Sequence, residues 1–387
     1  MMRVGVDARL MAEPITGIGR YTWEMVRALQ QQPELELRLY LPRPVMGDNP
    51  SASCTTLRTA RMPGRPGKML WSQTLLPLWA ARDQVQVFWG PTHRLPARLP
   101  ARIARVVTIH DLVWRHAGAT MRPLSRLLER ALMPHAVAQA DVVMADSAHT
   151  AADIEAEFPQ TRDKVRVVHP AASRLPPALG LEALRPLGIT RPYVLFVGTL
   201  EPRKNLPRLL QAFAALPADL RASHQLVVAG GQGWGGVDLP RAVAALGLQD
   251  TAVLPGYVSD QVLATLYAHA RCLAMPSLHE GFGLPLVEAM ACGVPVITSN
   301  LSSMPEVAQD AGLLVNPLQV QEITAALHAL LGDFALHARL AARAGHHAQR
   351  FNWQHAAQQA RLIFEEALYR RRIRLRSTPA GAHGASP

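Results

Sequence analysis

Residues 277–300 read SLHEGFGLPLVEAMACGVPVITSN, and the order of residue types in this stretch predicts a fold class. Gly281 and Gly283 permit a sharp turn, and Pro285 is favourable in the first turn of a helix. The apolar helical pattern stops at Gly293, and a short β-branched run follows. Together with the apolar run at 270–277, this order predicts one strand–helix–strand unit of a parallel sheet.

The same alternation of short apolar runs and helical patterns covers most of the chain. The predicted strands are 3–9, 36–42, 85–90, 104–110, 141–147 and 164–170, then 193–200, 224–230, 251–258, 270–277 and 294–300. The clearest helical patterns between the early strands are 19–31, 70–82 and 122–139. Strands that alternate with helices favour parallel sheets wound on both faces.

A proline-rich stretch at 171–192 interrupts this pattern, as linkers between domains often do. We therefore predict two doubly wound α/β domains, a linker and a C-terminal helix followed by a disordered tail. Their predicted bounds are 1–175 and 193–350 for the domains, 176–192 for the linker, 351–376 for the helix and 377–387 for the tail.

Composition indicates a globular, cytoplasmic protein. Of the 387 residues, 49% are hydrophobic, which is enough for a large core. No window approaches the roughly 18 to 20 uninterrupted apolar residues of a membrane-spanning helix, and Asp7 and Arg9 stand where a signal peptide would be apolar. The three cysteines show neither a disulfide pattern nor zinc-site spacing.

The net charge of +11 suggests an acidic partner, although a GC-rich coding bias gives the same excess of arginine. Nucleic acid, an anionic membrane surface and a phosphorylated substrate are the three classes of partner to weigh. Aromatic residues make up only 5% of the chain and do not alternate with the basic ones. This pattern disfavours nucleic acid as the partner.

Several polar residues follow predicted strands, where ligands collect in open parallel sheets. Gly17 and Gly19 lie in a loop that opens a helix and would let phosphate approach the backbone. His110 directly follows a strand and could hydrogen-bond a substrate hydroxyl. Arg203 and Lys204 stand between a strand and a helix, where they could hold phosphate. Taken singly, each residue also fits a purely structural role.

Two glutamates flank the turn of the opening stretch. Glu280 precedes the glycines, and Glu288 lies in the following helix. Carboxylates accept hydrogen bonds from sugar hydroxyls, while the free amides of a glycine turn can hold phosphate oxygens. The spacing therefore predicts one carboxylate for each of two polyhydroxyl rings bridged by a diphosphate. The alternative is two helix-favouring charges without a ligand.

The stretch EGFGLPLVEAMACGVPVITSN (280–300) resembles the glutamate-x7-glutamate signature of the family 4 retaining glycosyltransferases. GTLEPRKN (198–205) resembles their diphosphate-binding turn, and GIGRYT (17–22), IHDLVW (109–114) and ADS (145–147) also fit. The resemblance runs from about residue 3 to 370. It implies the GT-B fold, in which two Rossmann-like domains face each other across a cleft.

The resemblance also implies roles for individual residues. Gly17, Ile18 and Gly19 would contact phosphate, although this loop departs from the double glycine of many relatives. Arg203 and Lys204 would hold the diphosphate, Glu288 the ribose and Glu280 the transferred sugar. His110 would face the reacting centre. The remaining donor-site residues would be Gly281, Phe282, Gly283 and Leu284.

The implied reaction is retaining transfer, in which the departing diphosphate accepts the proton of the attacking hydroxyl. We expect no metal, because the sequence contains neither an Asp-x-Asp pair nor a cluster of histidines, and no cofactor beyond the nucleotide sugar. The resemblance to mannosyl and rhamnosyl transferases of surface polysaccharide assembly favours GDP-mannose as the donor. The alternatives are UDP-glucose or dTDP-rhamnose with a soluble acceptor. A GT-B phosphorylase or epimerase is disfavoured, since no pyridoxal-phosphate lysine context is evident.

The acceptor prediction rests on where basic residues lie. Residues 94–130 contain eight arginines against Asp111 and Glu129, and 58–68 contains four basic residues and no acid. We expect this domain to bind a polyprenyl-diphosphate-linked glycan at the anionic inner membrane face. The alternative is an ordinary core beneath a solvated basic face. The predicted apolar anchors are Trp71, Leu75, Leu76 and Trp79.

Overall fold

The first domain is built on a parallel sheet with the strand order β3-β2-β1-β4-β5-β6-β7. The structure is a computed structural model, which describes residues 1–46, 54–62, 64–235 and 238–377. The strands are β1 (Met2–Asp7), β2 (Leu35–Leu41), β3 (Thr55–Thr59), β4 (Val87–Gly90), β5 (Ala104–Ile109), β6 (Val142–Ala145) and β7 (Val165–Val167). The helices are α1 (Gly17–Leu29), α2 (Gly64–Gln73), α3 (Leu75–Arg82), α4 (Val113–His116), α5 (Pro123–Gln139) and α6 (Ala148–Glu157).

The second domain contains a parallel sheet with the order β10-β9-β8-β11-β12-β13. Its strands are β8 (Tyr193–Val197), β9 (Gln225–Ala229), β10 (Ala252–Gly256), β11 (Cys272–Met275), β12 (Val296–Ser299) and β13 (Gly312–Val315). Its helices are α7 (Leu206–Ala214), α8 (Ala218–Ser223), α9 (Leu239–Ala245), α10 (Asp260–His269), α11 (Leu284–Ala291), α12 (Met304–Ala308), α13 (Val320–Gly332) and α14 (Phe334–Ala348).

Both sheets are covered by helices on their two faces, which explains their continuous apolar strands. Every residue of β4, β6, β11 and β12 is buried. In both sheets the first strand of the domain lies inside the sheet, and strand order reverses beside it. This is the doubly wound topology, and it creates a crevice at the carboxyl ends of the strands.

The C-terminal helix α15 (Trp353–Ser377) leaves the second domain and packs on the first. Trp353, Ala357 and Phe364 share one core with residues of β1 and β4. The Trp353 indole donates a hydrogen bond to the Ala172 carbonyl at 2.9 Å. The buried Arg371 pairs with Asp141 at 2.7 Å. The last helix therefore belongs to the hydrophobic core of the first domain.

Four details differ from the sequence prediction. β3 and β13 are strands that the periodicity does not predict, and both lie at sheet edges, where apolar runs are short. The predicted helix at 70–82 is two helices, because Thr74 has a non-helical backbone. Ser377 is the last residue of α15, not the first of a tail, and residues 378–387 of the predicted tail lie outside the described part. No helix in the described ranges is both long and apolar enough to cross a membrane.

The predicted membrane anchors are mostly core residues, and that prediction is wrong. Trp71 and Leu76 are fully buried and pack with Tyr40 and Phe88 beneath α2 and α3. Leu75 and Trp79 are partly buried against the same cluster. The large side chains of these helices face the sheet because burial against the apolar side chains of β2 and β4 removes both from water.

Candidate active site

The carboxyl ends of the two sheets face a common cleft of about 500 Å³. Eleven of the twelve site residues predicted from the sequence line it, although they come from four separate segments. Convergence at the topological switch points of both sheets explains why distant segments meet here. The lining residues that were predicted are Gly17, Ile18, His110, Arg203, Lys204, Glu280, Gly281, Phe282, Gly283, Leu284 and Glu288.

The predicted glycine loop is the first turn of α1. The helix begins at Gly17, and its N-cap Thr16 makes no side-chain hydrogen bond to the first-turn amides. Those amides are therefore available to an anion in the cleft. Gly19 does not line the cleft, which corrects the prediction: it is buried toward Leu10, because the helical twist turns it away from Gly17.

Arg203, Lys204 and Glu280 form a buried ion cluster in the cleft. The Glu280 Oε2 lies 2.6 Å from Arg203 Nη1, and Oε1 lies 2.7 Å from Lys204 Nζ. Burial would raise the pKa of the Glu280 carboxyl, but the two cations outweigh it and lower the pKa to about 2. Burial lowers the pKa of Lys204, against the opposing effect of Glu280. Glu280 is therefore ionised between two cations, and Glu201 adds a second carboxylate 3.0 Å from Arg203 Nε.

Backbone geometry fixes this cluster. Asn205 adopts a left-handed conformation with φ of 60°, and its side-chain amide donates to the carbonyls of Pro276 and Pro317 at 2.9 and 2.6 Å. The turn that carries both cations is thereby tied to the end of β11. Arg203 also donates to the His279 carbonyl at 3.0 Å. The cations and Glu280 are held by the same two loops.

Glu288 lies on α11 with both carboxylate oxygens engaged. Tyr267 donates its hydroxyl to Oε2 at 2.6 Å, and Ser173, just before the linker, donates to Oε1. Burial and the Glu288 charge raise the pKa of the Tyr267 phenol well above its usual value. The residue is 5% exposed and still lines the cleft. A ligand hydroxyl at this carboxylate would therefore replace Ser173 or use a remaining lone pair.

His110 has no free ring nitrogen. Nδ1 lies 2.5 Å from the Asp146 carboxylate, and Nε2 lies 2.8 Å from the Pro91 carbonyl oxygen. A carboxylate and a carbonyl oxygen both accept hydrogen bonds, which favours the doubly protonated ring. Burial would lower the pKa of His110, but Asp146 outweighs it and raises the pKa. A hydrogen bond from the His110 ring to a substrate hydroxyl would therefore require Asp146 or the Pro91 carbonyl to give up its contact.

Several contacts that close the cleft were not predicted. Arg20 of α1 pairs with Asp260 of α10 at 2.6 Å, and the Trp234 indole donates to the Thr120 carbonyl at 2.7 Å. Glu306 accepts hydrogen bonds from the amide that begins α6, Ala148, at 2.8 Å. The sequence does place Asp260 at the start of a helix, where Ser259 provides the cap, but it does not identify Arg20 as the partner of Asp260.

A cluster of histidines also stands at the domain boundary, which corrects the expectation that the chain has none. His116, His149 and His279 surround the carboxylate of Asp153. The sequence did not reveal the cluster because His279 lies more than a hundred positions from the others. The fold alone brings it beside α6.

Comparison with known proteins agrees with this geometry. Residues 15–173 match the family described as Glycosyltransferase Family 4, and residues 185–347 match Glycosyl transferases group 1. The chain is 33% identical over 365 residues to O-antigen chain mannosyltransferase B of Escherichia coli, a match that covers 89% of this chain and 95% of the relative.

Solved structures share the two-domain architecture. Sucrose-phosphate synthase from Thermosynechococcus elongatus superposes with a TM-score of 0.75 at 20% identity, covering 95% of this chain and all of that one. HepE from Anabaena, in complex with UDP and glucose, gives a TM-score of 0.70 at 18% identity over 94% of this chain and 100% of that one. These likenesses establish the GT-B fold. The chain therefore belongs to glycosyltransferase family 4 and is a hexosyltransferase.

Proposed function

We propose that the protein transfers mannose from GDP-mannose to a glycan acceptor, with retention of the anomeric configuration. The observation that carries this proposal is the buried pair Arg203 and Lys204 facing the cleft beside the free amides of α1. Such a site suits the negative charge that develops on a departing nucleoside diphosphate. The mannose assignment is supported by the relative named O-antigen chain mannosyltransferase B.

The donor lies along the cleft with its diphosphate between the first turn of α1 and the Arg203–Lys204 turn. Its ribose approaches Glu288, where two hydroxyl-bearing side chains already meet the carboxylate. Glu280 holds the two cations in place and offers its remaining lone pairs to the sugar. The amides of Gly281, Phe282, Gly283 and Leu284 complete the pocket around the phosphates and sugar.

In the proposed reaction the bond between the anomeric carbon and the diphosphate oxygen breaks, and the acceptor oxygen bonds to the same face. The proton of the acceptor hydroxyl passes to the departing phosphate oxygen. Arg203 and Lys204 stabilise that oxygen, so that no metal ion is needed at the diphosphate. Both oxygens of Glu280 are held in ion pairs, which disfavours this carboxylate as a covalent nucleophile.

The acceptor is a polyprenyl-diphosphate-linked glycan of surface polysaccharide or O-antigen synthesis, met at the cytoplasmic membrane face. Support comes from exposed apolar and basic side chains around α2, α3 and α5, here named the basic apolar face. Gln73 of α2 accepts from the Ala97 amide, and His93 of the same loop contacts Glu129 of α5. The loop therefore joins the helices into one surface. The face comprises Met69, Leu70, Leu78, Leu124, Leu127, Arg98, Arg126 and Arg130.

The test is a transfer assay with purified protein, a synthetic lipid-diphosphate glycan and a panel of GDP-mannose, UDP-glucose and dTDP-rhamnose. We expect transfer from GDP-mannose, an α-linked product by NMR and full activity without added magnesium or manganese. Transfer from another donor only would overturn the mannose assignment, and a β-linked product would overturn retention. Abolition by chelator with rescue by magnesium or manganese would overturn metal independence. Equal rates with a soluble glycan would overturn the lipid-linked acceptor.

A further inference from the structure

Four side chains from three segments meet beside the catalytic cleft, at the boundary between the domains. His149 and Asp153 lie one helical turn apart on α6, so they share a face of that helix. His279 immediately precedes Glu280 in the second domain, and His116 ends α4. None of these residues is needed for the donor site proposed above.

The separations between these groups suit metal ligation better than hydrogen bonding. Asp153 Oδ2 lies 3.5 Å from His149 Nε2 and 3.7 Å from His279 Nε2. A hydrogen bond between such groups would be about 2.7 to 3.2 Å long. Neighbouring ligand atoms of tetrahedral zinc, with Zn–N bonds of about 2.0 Å, are about 3.3 Å apart. The three ligand atoms all lie within 4.8 Å of one another.

Burial provides an independent indication of a ligand. The His279 side chain is 8% exposed, and neither of its ring nitrogens makes a hydrogen bond to any residue in the described ranges. Asp153 Oδ2 is likewise buried without a hydrogen-bond partner there. Unpaired buried polar atoms are costly, so a group that satisfies them is expected. An ion bound between them would satisfy Asp153 Oδ2 and His279 Nε2.

We propose that His149, Asp153 and His279 bind one divalent transition-metal ion of the zinc class that clamps the two domains together. Imidazole nitrogens and a carboxylate oxygen are the donors that zinc prefers. His116 Nε2 lies 3.3 Å from the second Asp153 oxygen and is the candidate for a fourth ligand. Because Arg203 bonds to the His279 carbonyl, the ion also steadies the loop that carries Glu280. It acts on domain closure, apart from the reacting atoms.

The test uses the full chain, stripped with a chelator and titrated with zinc by calorimetry and with cobalt by visible absorption. We expect one zinc ion per chain with a micromolar or lower Kd, a tetrahedral cobalt spectrum and a Tm rise of about 2 to 5 °C. His149→Ala, Asp153→Asn and His279→Ala should each weaken binding at least tenfold. His328→Ala, which removes an exposed histidine on α13, is the matched control and should bind like the parent.

Absence of stoichiometric zinc binding by the parent would overturn the site. Equal affinity in the parent and in correctly folded His149→Ala and Asp153→Asn, judged by circular dichroism, would also overturn it. Unchanged binding by His279→Ala would place the ion on α6 alone and overturn the clamp. Since these titrations contain no nucleotide sugar, their outcome is independent of which donor the enzyme uses.

Discussion

Gly281 of the second domain lies directly against the backbone carbonyl oxygen of His110 in the first. A Cβ at position 281 would stand 1.7 Å from that oxygen, far inside any real contact. The Gly281 carbonyl accepts a hydrogen bond from Ser147 at 2.7 Å on the same side of the cleft. Glycine is therefore required here for the closed arrangement of the domains, in addition to any role in the turn.

Gly281→Ala should keep each domain folded and prevent this closure. Misplacement of the catalytic groups by about 1 Å costs on the order of 100-fold in rate, so we expect at least that loss in kcat/KM. Small-angle scattering should show a larger radius of gyration. Gly332→Ala is the control, since a Cβ there meets nothing within 4 Å. Full activity of the Gly281 variant would show that the contact is dispensable.

Glu280→Ala should destabilise the protein and make it unusually responsive to nucleoside diphosphate. Removing Glu280 leaves the buried Lys204 without its ion-pair partner and Arg203 with Glu201 alone, at a cost of about 3 to 5 kcal/mol. A bound diphosphate supplies negative charge to the same cations. GDP should therefore raise the Tm of the variant more than that of the parent. An equal or smaller rise in Tm would show that this cluster does not bind the diphosphate.

Acid should weaken the fold through Glu280. The pKa of its carboxyl is about 2 in the folded protein, against 4.5 for an unperturbed group. The stabilisation is therefore complete above about pH 4.5 and is lost as the pH falls toward 2. Between pH 5 and pH 3 this carboxyl alone should cost about 2 kcal/mol. Urea unfolding at both pH values should show a smaller acid effect in Glu280→Gln, and parallel losses would contradict the assignment.

The sequence predicts the architecture well, because fully buried strands such as β6 and β11 are continuous apolar runs bounded by turn residues. Cleft residues are predictable too, since parallel strands place their carboxyl ends together. Side-chain partners are not predictable in this way. The contacts of Ser173 with Glu288 and of Asp146 with His110 depend on how loops and domains pack. For the same reason the sequence alone does not reveal that both ring nitrogens of His110 are engaged.

Glu288→Gln should mainly weaken donor binding. Loss of a charged hydrogen bond to a ribose costs about 1.5 to 3 kcal/mol, or roughly 10- to 100-fold in affinity. Calorimetry with GDP should show this loss, while kcat at saturating donor should change by only a few fold. The exposed Glu182→Gln is the matched control, because its ion pair with Arg185 lies on the surface. A drop in kcat with unchanged GDP affinity would indicate that Glu288 contacts the reacting sugar and not the ribose.

Membrane association should depend on the basic apolar face, not on Trp71 and Leu76, which are buried. Each basic residue near an anionic surface contributes about 1 kcal/mol, so Arg126→Glu with Arg130→Glu should weaken binding to anionic vesicles by about 30-fold or more. Sedimentation with anionic and neutral vesicles at low and high salt measures this effect. Arg339→Glu, on the exposed side of α14 in the other domain, is the matched control and should leave binding unchanged. Vesicle binding that does not depend on lipid charge or on salt concentration would refute the electrostatic basis of this association. No binding at all would leave a soluble acceptor as the substrate.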